Sequence, residues 1–243
     1  MIMSKIIISG CSYSCDNSCD KNSYGDWLRK SGNEVISLSY PGLSNSHIFY
    51  QIYDYITNNE IVNSKIIIQL TWLHRFGGYN TYYKKWVNYQ PNFFNVIPTY
   101  DEKTDFIEFD INVKKLNINL PILKNIFGTG NLHYDEMLSM YSLYLKYHYD
   151  EIETFKYLLY ELDTLTSFLD KTKNDFVLIY WPVINENTQL NEIKKRNFFN
   201  IDGEYSMLKW STKNKFLNGK SSHLSKDGHK YLGEQLNNWL IGK

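Results

Sequence analysis

The sequence of 243 residues lacks several features that would assign it to a broad class. It has no run of about 18 apolar residues, the length that a helix needs to cross a bilayer, so we expect no membrane contact. It has no excess of either charge, with 26 basic and 26 acidic residues, and this balance argues against a nucleic-acid partner. The apolar run at the N-terminus is too short for a signal-peptide core, so we expect a cytoplasmic protein.

Cysteine is scarce and confined to one short stretch. Cys11, Cys15 and Cys19 are the 3 cysteines of the chain, and a disulfide framework would spread them more widely. Their C-x3-C-x3-C spacing resembles the C-x3-C-x2-C loop of radical SAM enzymes without matching it. An iron–sulfur enzyme is therefore an alternative hypothesis. Because the third thiolate is displaced and no fourth ligand is evident, we expect no metal and no cofactor.

What the sequence does contain is a regular alternation of short apolar runs and amphipathic stretches. Strands are predicted at residues 4–10, 33–40, 64–72 and 174–182, and helices at 23–32, 44–59 and 225–242. This order is typical of right-handed βαβ crossovers around a parallel sheet. The sequence therefore predicts an α/β fold, a three-layer α/β/α sandwich with a mostly parallel sheet of about five strands.

The middle of the chain departs from this alternation. We interpret residues 1–243 as one domain with an insertion at about 73–134, which contains a predicted hairpin at 105–113. A long helical segment follows at about 136–172. Its apolar positions recur at intervals of three and four residues, which predicts a core-facing stripe of Ile152, Phe155, Leu159, Leu162 and Leu169.

The chemistry-bearing stretch is Gly10-Cys11-Ser12-Tyr13-Ser14, at the end of the first strand. Sites in open parallel sheets form at the carboxyl ends of strands, and a helix N-terminus there favours negative charge. Ser12 is therefore a candidate nucleophile; the alternative is that it simply caps the next helix. A serine needs a base, and His223 precedes the last predicted helix. We interpret His229, inside that helix, as a packing or surface residue.

Three blocks of the sequence together resemble the SGNH, or GDSL-type, hydrolase family. They are "GCSYS" after the first strand, the glycine of "PGLSN" after the second, and "KSSH" ahead of the last helix. The resemblance implies an SGNH-hydrolase-like, flavodoxin-like fold. The GCSYS and PGLSN blocks are similar to phage-type variants of the family. For a phage-encoded protein, this implies a location in the host cytoplasm or the virion.

The resemblance also implies roles for individual residues. Ser12 would be the nucleophile and His223 its general base, and the N–H groups of Ser12 and Gly42 would form part of an oxyanion hole. The family's third block supplies an Asn that is absent here. Thr71 and Asn45 are the residues we expect to replace it as oxyanion donors.

A second departure from the family concerns the acid that precedes the histidine. Its position is occupied by Lys220, so a backbone carbonyl or a distant carboxylate must orient His223. Asp227 and Asp202 are the candidates among the carboxylates.

We expect hydrolysis of an ester, such as an O-acetyl ester of a carbohydrate, through an acyl-Ser12 intermediate. The substrate would be a small-molecule or carbohydrate ester, contacted by Tyr13, Trp72 and Arg75, with the guanidinium clamping a carboxylate or phosphate. The alternatives are a surface ion pair for Arg75 and packing of the insertion for the aromatic side chains that follow the third strand. Because the family's acid and Asn are missing, the alternative hypothesis is a catalytically impaired binding protein or phage-particle-associated protein with the same fold.

Overall fold

The computed structural model describes residues 5–14, 22–40, 43–73, 76–80, 85–89, 99–101, 106–108, 150–184, 187–218 and 223–242. The described strands are β1 (Lys5–Ser9), β2 (Glu34–Ser37), β3 (Lys65–Leu70), β4 (Phe76–Asn80), β5 (Lys85–Tyr89), β6 (Thr99–Asp101), β7 (Phe106–Glu108) and β8 (Asp175–Tyr180). The described helices are α1 (Tyr24–Lys30), α2 (Asn45–Asn58), α3 (Glu151–Lys171), α4 (Asn187–Lys194), α5 (Met207–Lys213) and α6 (Lys226–Ile241).

The main sheet is parallel and has the strand order β2-β1-β3-β8. Its two central strands each contain a run of three isoleucines, Ile6 to Ile8 and Ile66 to Ile68, and all six side chains are fully buried. Continuous apolar runs of β-branched residues suit strands that are covered by helices on both faces. Leu70 of β3 is in register with Tyr180 of β8, so these strands end at the same edge of the sheet.

Helices cover the sheet on both faces, which confirms the predicted three-layer sandwich. The chain moves from β1 to β2 in one direction and from β2 back to β3 in the other. Right-handed crossovers therefore place α1 and α2 on opposite faces. Helix α6 packs against α1, and α3 packs against α2.

Serine caps start the helices that lead into and out of the site. The side chains of Ser23, Ser44 and Ser225 accept hydrogen bonds from backbone N–H groups three residues further on, at the starts of α1, α2 and α6. This is the usual N-cap arrangement, and it fixes where each loop ends and each helix begins.

The expected fifth strand is represented by single bridges in the described part of the chain. Beyond β8, Leu178 pairs with Phe198 and Tyr180 pairs with Ser206, both in parallel orientation. These two contacts extend the sheet past its fourth strand without forming a continuous ladder.

One detail of the sequence prediction was wrong and another stays a prediction. Of the predicted hairpin at 105–113, β7 is described and pairs with β6, which lies upstream; residues 109–113 lie outside the described residues, so the hairpin stays a prediction. Ile152 does not join the core stripe of α3, because its side chain is 51% exposed. The buried positions of α3 are Phe155, Leu158, Leu162, Leu165 and Leu169.

Antiparallel pairs β4–β5 and β6–β7 lie within the segment that we interpret as an insertion. The division of the chain into one domain with an insertion stays a prediction. Of the helices that the structure describes, none combines the length and apolar character needed to span a bilayer.

Candidate active site

The candidate site lies at the edge of the sheet where β1, β3 and β8 end. Ser12 follows β1, Thr71 follows β3 and Trp181 follows β8. Backbone hydrogen bonding between β3 and β8 continues beyond the end of β8, since the N–H of Trp181 donates to the carbonyl of Leu70. Carboxyl ends of parallel strands are where sites form in open α/β sheets.

Two polar side chains from opposite ends of the chain meet at this edge. The Oγ of Ser12 lies 2.9 Å from Nε2 of His223, across 211 positions of sequence. Both residues are half-buried. His223 is held at this place because Ser225, two residues later, caps α6, and because Asn218 N–H donates to the His223 carbonyl at 2.8 Å. The separation is a hydrogen-bond distance and fits a nucleophile–base pair.

An aromatic cluster supports the imidazole. The ring of Tyr13 stacks on the ring of Trp181 with centroids 3.8 Å apart and planes 11° apart. The same tyrosine ring lies 4.7 Å from the ring of His223. The indole Nε1 of Trp72 donates to the Tyr13 hydroxyl at 3.5 Å. Tyr13 and Trp72 are only 3% and 7% exposed, so their expected contact with substrate stays a prediction.

The turn that carries Ser12 is bonded to a buried glutamine of β3. The Oε1 of Gln69 accepts hydrogen bonds from the backbone N–H of Cys11 at 3.2 Å and from the hydroxyl of Ser14 at 3.0 Å. The turn closes on itself through a bond from Ser14 N–H to the Cys11 carbonyl at 2.9 Å. Tyr24 of α1 adds a bond from its hydroxyl to Ser14 Oγ at 2.6 Å. Strand β3 and helix α1 therefore both hold this turn through hydrogen bonds.

The expected oxyanion residues Asn45 and Thr71 are bonded to each other. Asn45 Nδ2 donates to the Thr71 carbonyl at 3.2 Å, and the Thr71 N–H donates to Asn45 Oδ1 at 2.8 Å. These two hydrogen bonds connect the start of α2 to the end of β3. The Thr71 hydroxyl is fully buried and has no hydrogen-bond partner among the described residues. The oxyanion role of both residues stays a prediction.

Other residues singled out from the sequence do not meet at the dyad or lie outside the described residues. Asp202 accepts hydrogen bonds from the Trp210 indole and the Tyr231 hydroxyl instead of contacting His223. Gly42, Arg75 and Lys220 lie outside the described residues, so their expected roles stay predictions.

His229 is a core residue and not a surface one. It is 1% exposed within α6, and its ring lies 6.3 Å from that of Tyr24. Burial is the main cause that lowers the pKa of His229 from 6.5 to about 4; the neighbouring charge of His223 contributes in the same direction, and Asp26 opposes both. The His229 imidazole is therefore neutral at pH 7.

Three contributors to the site were missed from the sequence, namely Gln69, Tyr24 and Trp181. Gln69 is a polar residue within an otherwise apolar strand, and that mismatch was the one signal available. The other two gave no signal, since buried aromatic residues at such positions are ordinary core components.

Comparisons with known proteins found similarity in solved structures. No protein-family model matches the sequence, and no curated protein matches it. A psychrotrophic esterase from Pseudoalteromonas sp. is 12% identical, with coverage of 98% of this chain and 99% of that one and a TM-score of 0.49. A lipase/acylhydrolase from Enterococcus faecalis is also 12% identical, with coverage of 99% and 96% and a TM-score of 0.47. A G-D-S-L family protein from Desulfitobacterium hafniense DCB-2 is 10% identical, with coverage of 97% and 98% and a TM-score of 0.48. These values are too low to transfer an activity to this chain.

Proposed function

We propose that the protein is a serine hydrolase that cleaves an ester through an acyl-Ser12 intermediate. The observation that supports this proposal is the 2.9 Å separation between Ser12 Oγ and His223 Nε2. A serine hydroxyl is a weak nucleophile alone, and a neutral imidazole nitrogen at hydrogen-bond distance is the commonest group that activates it.

The reaction proceeds in two halves. In the first, Nε2 of His223 takes the proton of the Ser12 hydroxyl while Oγ forms a bond to the acyl carbon. The tetrahedral intermediate collapses by breaking the bond to the alcohol oxygen, which leaves with the proton from Nε2. In the second half, a water gives a proton to Nε2 and attacks the acyl carbon. The bond between the acyl carbon and Ser12 Oγ then breaks, the acid departs, and Oγ takes the proton from Nε2.

The developing negative charge needs hydrogen-bond donors beside Ser12. We assign this task to the N–H groups of Ser12 and Gly42, with the Thr71 hydroxyl as a further donor. Thr71 follows β3 at the sheet edge where Ser12 follows β1, and its hydroxyl lacks a partner among the described residues. One such donor contributes roughly 100- to 1,000-fold in turnover.

The surroundings of the dyad favour a short acyl group. Beside His223, the ring of Tyr13 stacks on that of Trp181, and its hydroxyl accepts a hydrogen bond from the Trp72 indole. We therefore propose acetyl esters, including O-acetyl groups on carbohydrates, in preference to long-chain esters.

A fluorophosphonate probe tests the proposal, because it labels only activated serines. We expect labelling of the wild type and none of Ser12→Ala. His223→Gln should slow labelling by about 10,000-fold, the scale on which the loss of a correctly oriented base acts. The control is Ser167→Ala, which removes an exposed hydroxyl of α3 that bonds to the Asp163 carbonyl, and which should label at the wild-type rate.

Two results would separate hydrolysis from the alternative hypothesis. Hydrolysis of p-nitrophenyl acetate faster than the octanoate ester, lost in Ser12→Ala, is the expected outcome. A wild type that neither labels nor hydrolyses any of these esters would remove the proposal and leave a non-catalytic binding protein, which the lysine at position 220 favours.

A further inference from the structure

We propose that Gln69 is a positioning residue, whose side-chain oxygen fixes the turn on which Ser12 is carried. This inference rests on the proposed function, since it states how the nucleophile of that function is held. Gln69 is 1% exposed, and its side chain bonds to Cys11, Ser14 and the Leu70 carbonyl, so it acts through the turn and not on substrate.

The bonds of Gln69 bracket Ser12 on both sides. Its Oε1 accepts from the backbone N–H of Cys11, the residue before the nucleophile. The same oxygen accepts from the hydroxyl of Ser14, two residues after the nucleophile. With both flanks bound to one atom, the backbone at Ser12 has little freedom to rotate.

The orientation of the Gln69 amide follows from its partners. The Cys11 N–H can only donate, so the atom that faces it must be the oxygen. On the other side, Nε2 donates to the Leu70 carbonyl, which can only accept. If the amide were flipped, its NH2 group would face the Cys11 N–H and its oxygen would face the Leu70 carbonyl, and neither pair could form a hydrogen bond. Gln69 therefore needs both ends of its amide, and a residue that only accepts or only donates does not replace it fully.

The turn that carries Ser12 lies in close contact with β3 at Gly10. A Cβ placed on Gly10 would lie 2.9 Å from the Cβ of Gln69 and 2.7 Å from Ser14 Oγ. Real Cβ atoms essentially never approach others so closely. The close contact exists because Gly10 has no side chain, and it brings the Gln69 amide within reach of the turn.

The effect on chemistry is one of placement. Strand β3 is paired on both sides, with β1 and with β8, so Gln69 stands on a rigid element. Without its oxygen, the buried Cys11 N–H loses its acceptor and the turn relaxes. A displacement of about 1 Å at a reacting group is sufficient to lower the rate by about 100-fold.

The test compares Gln69→Met, which keeps length and removes the amide, with Gln69→Glu, which keeps an acceptor oxygen. The matched control is Gln189→Met, at a glutamine that is also buried, 4% exposed, but lies on α4. We measure kcat and KM for p-nitrophenyl acetate, and the unfolding midpoint of each variant. Gln69→Asn, which withdraws the amide by one methylene, replaces Gln69→Met if the latter does not fold.

We expect Gln69→Met to lower kcat about 100-fold with KM within twofold, and Gln69→Glu to recover at least tenfold of that loss. Gln189→Met should leave kcat unchanged. Folded Gln69→Met with wild-type kcat would overturn the inference while leaving the proposed function intact. Failure of both Gln69→Met and Gln69→Asn to fold would also overturn it, since Gln69 would then be a folding residue. A wild type without activity would remove both proposals together.

Discussion

Replacing Gly10 by alanine should damage both the stability and the activity of the protein, by an amount that the local geometry fixes. The new methyl group would lie 2.7 Å from Ser14 Oγ and 2.9 Å from the Cβ of Gln69. The serine hydroxyl can rotate away, but only by leaving its bonds to Gln69 and Tyr24. The Cβ of Gln69 cannot rotate away, because it belongs to a strand paired on both sides, so the turn itself must shift.

The expected cost is the difference between two effects. Overpacking of a tight core contact costs about 1–3 kcal/mol. The lower chain entropy of the unfolded alanine variant returns about 0.4–1 kcal/mol. We therefore expect the free energy of unfolding in urea to fall by about 1–2 kcal/mol. Fluorophosphonate labelling of Ser12 should slow by about 100-fold, because the turn carries the nucleophile.

A second glycine provides the control. A Cβ on Gly233 of α6 would lie 2.7 Å from the Cβ of Trp27, so it produces the same kind of clash between two helices. Its cost is partly offset by the better helix propensity of alanine, about 1 kcal/mol. Gly233→Ala should therefore lose stability but label at close to the wild-type rate in its folded fraction. If Gly10→Ala labels as fast as the wild type and unfolds at the same urea concentration, the reasoning about this turn is wrong.

Two further predictions concern the rings around the dyad. His229 is neutral when folded, with its pKa lowered mainly by burial to about 4, whereas the unfolded chain takes up a proton near pH 6.5. The contribution of His229 to the free energy of unfolding is therefore fully present above pH 6.5. About 3 kcal/mol of it is lost as the pH falls towards 4. His229→Gln should show a smaller fall in unfolding free energy between pH 7 and pH 4, and an equal fall in both proteins would contradict the assignment. For Tyr13, the ring and not the hydroxyl should matter, since it contacts both Trp181 and His223. The Tyr13→Phe variant should be labelled at a rate within about twofold of the wild type. The Tyr13→Leu variant should be labelled at least about tenfold more slowly, because stacked aromatic pairs contribute about 0.5–1.5 kcal/mol each. Equal labelling rates for the two variants would refute this.

Local patterns in the sequence predicted the sheet well. The isoleucine runs of β1 and β3 mark strands buried on both faces, and the serines ahead of α1, α2 and α6 mark where helices begin. These signals are short-range, since a cap and its N–H lie three residues apart. The same patterns gave no indication of α5, which follows an irregular segment and is only 7 residues long.

The residues of the candidate site also divide into those that local patterns predicted and those that they did not. Ser12 and His223 were singled out because each lies next to a predictable boundary, a strand end in one case and a helix start in the other. Gln69 was not, because its partners lie 55 and 58 positions away and nothing in its neighbourhood reveals them. The pairing of β7 with β6 was missed for a related reason, since alternation indicates a strand but does not say which strand it pairs with.

The position of His223 just before α6 makes the chemistry of the protein depend on the docking of that helix. The imidazole reaches Ser12 only after α6 has docked on α1, across the close contact between Gly233 and Trp27. A chain still emerging from the ribosome carries the serine for more than two hundred residues of synthesis without its partner. Reactivity at that hydroxyl thus reports that α6 has docked, and a pulse-labelling experiment with the phosphonate probe would time this docking directly.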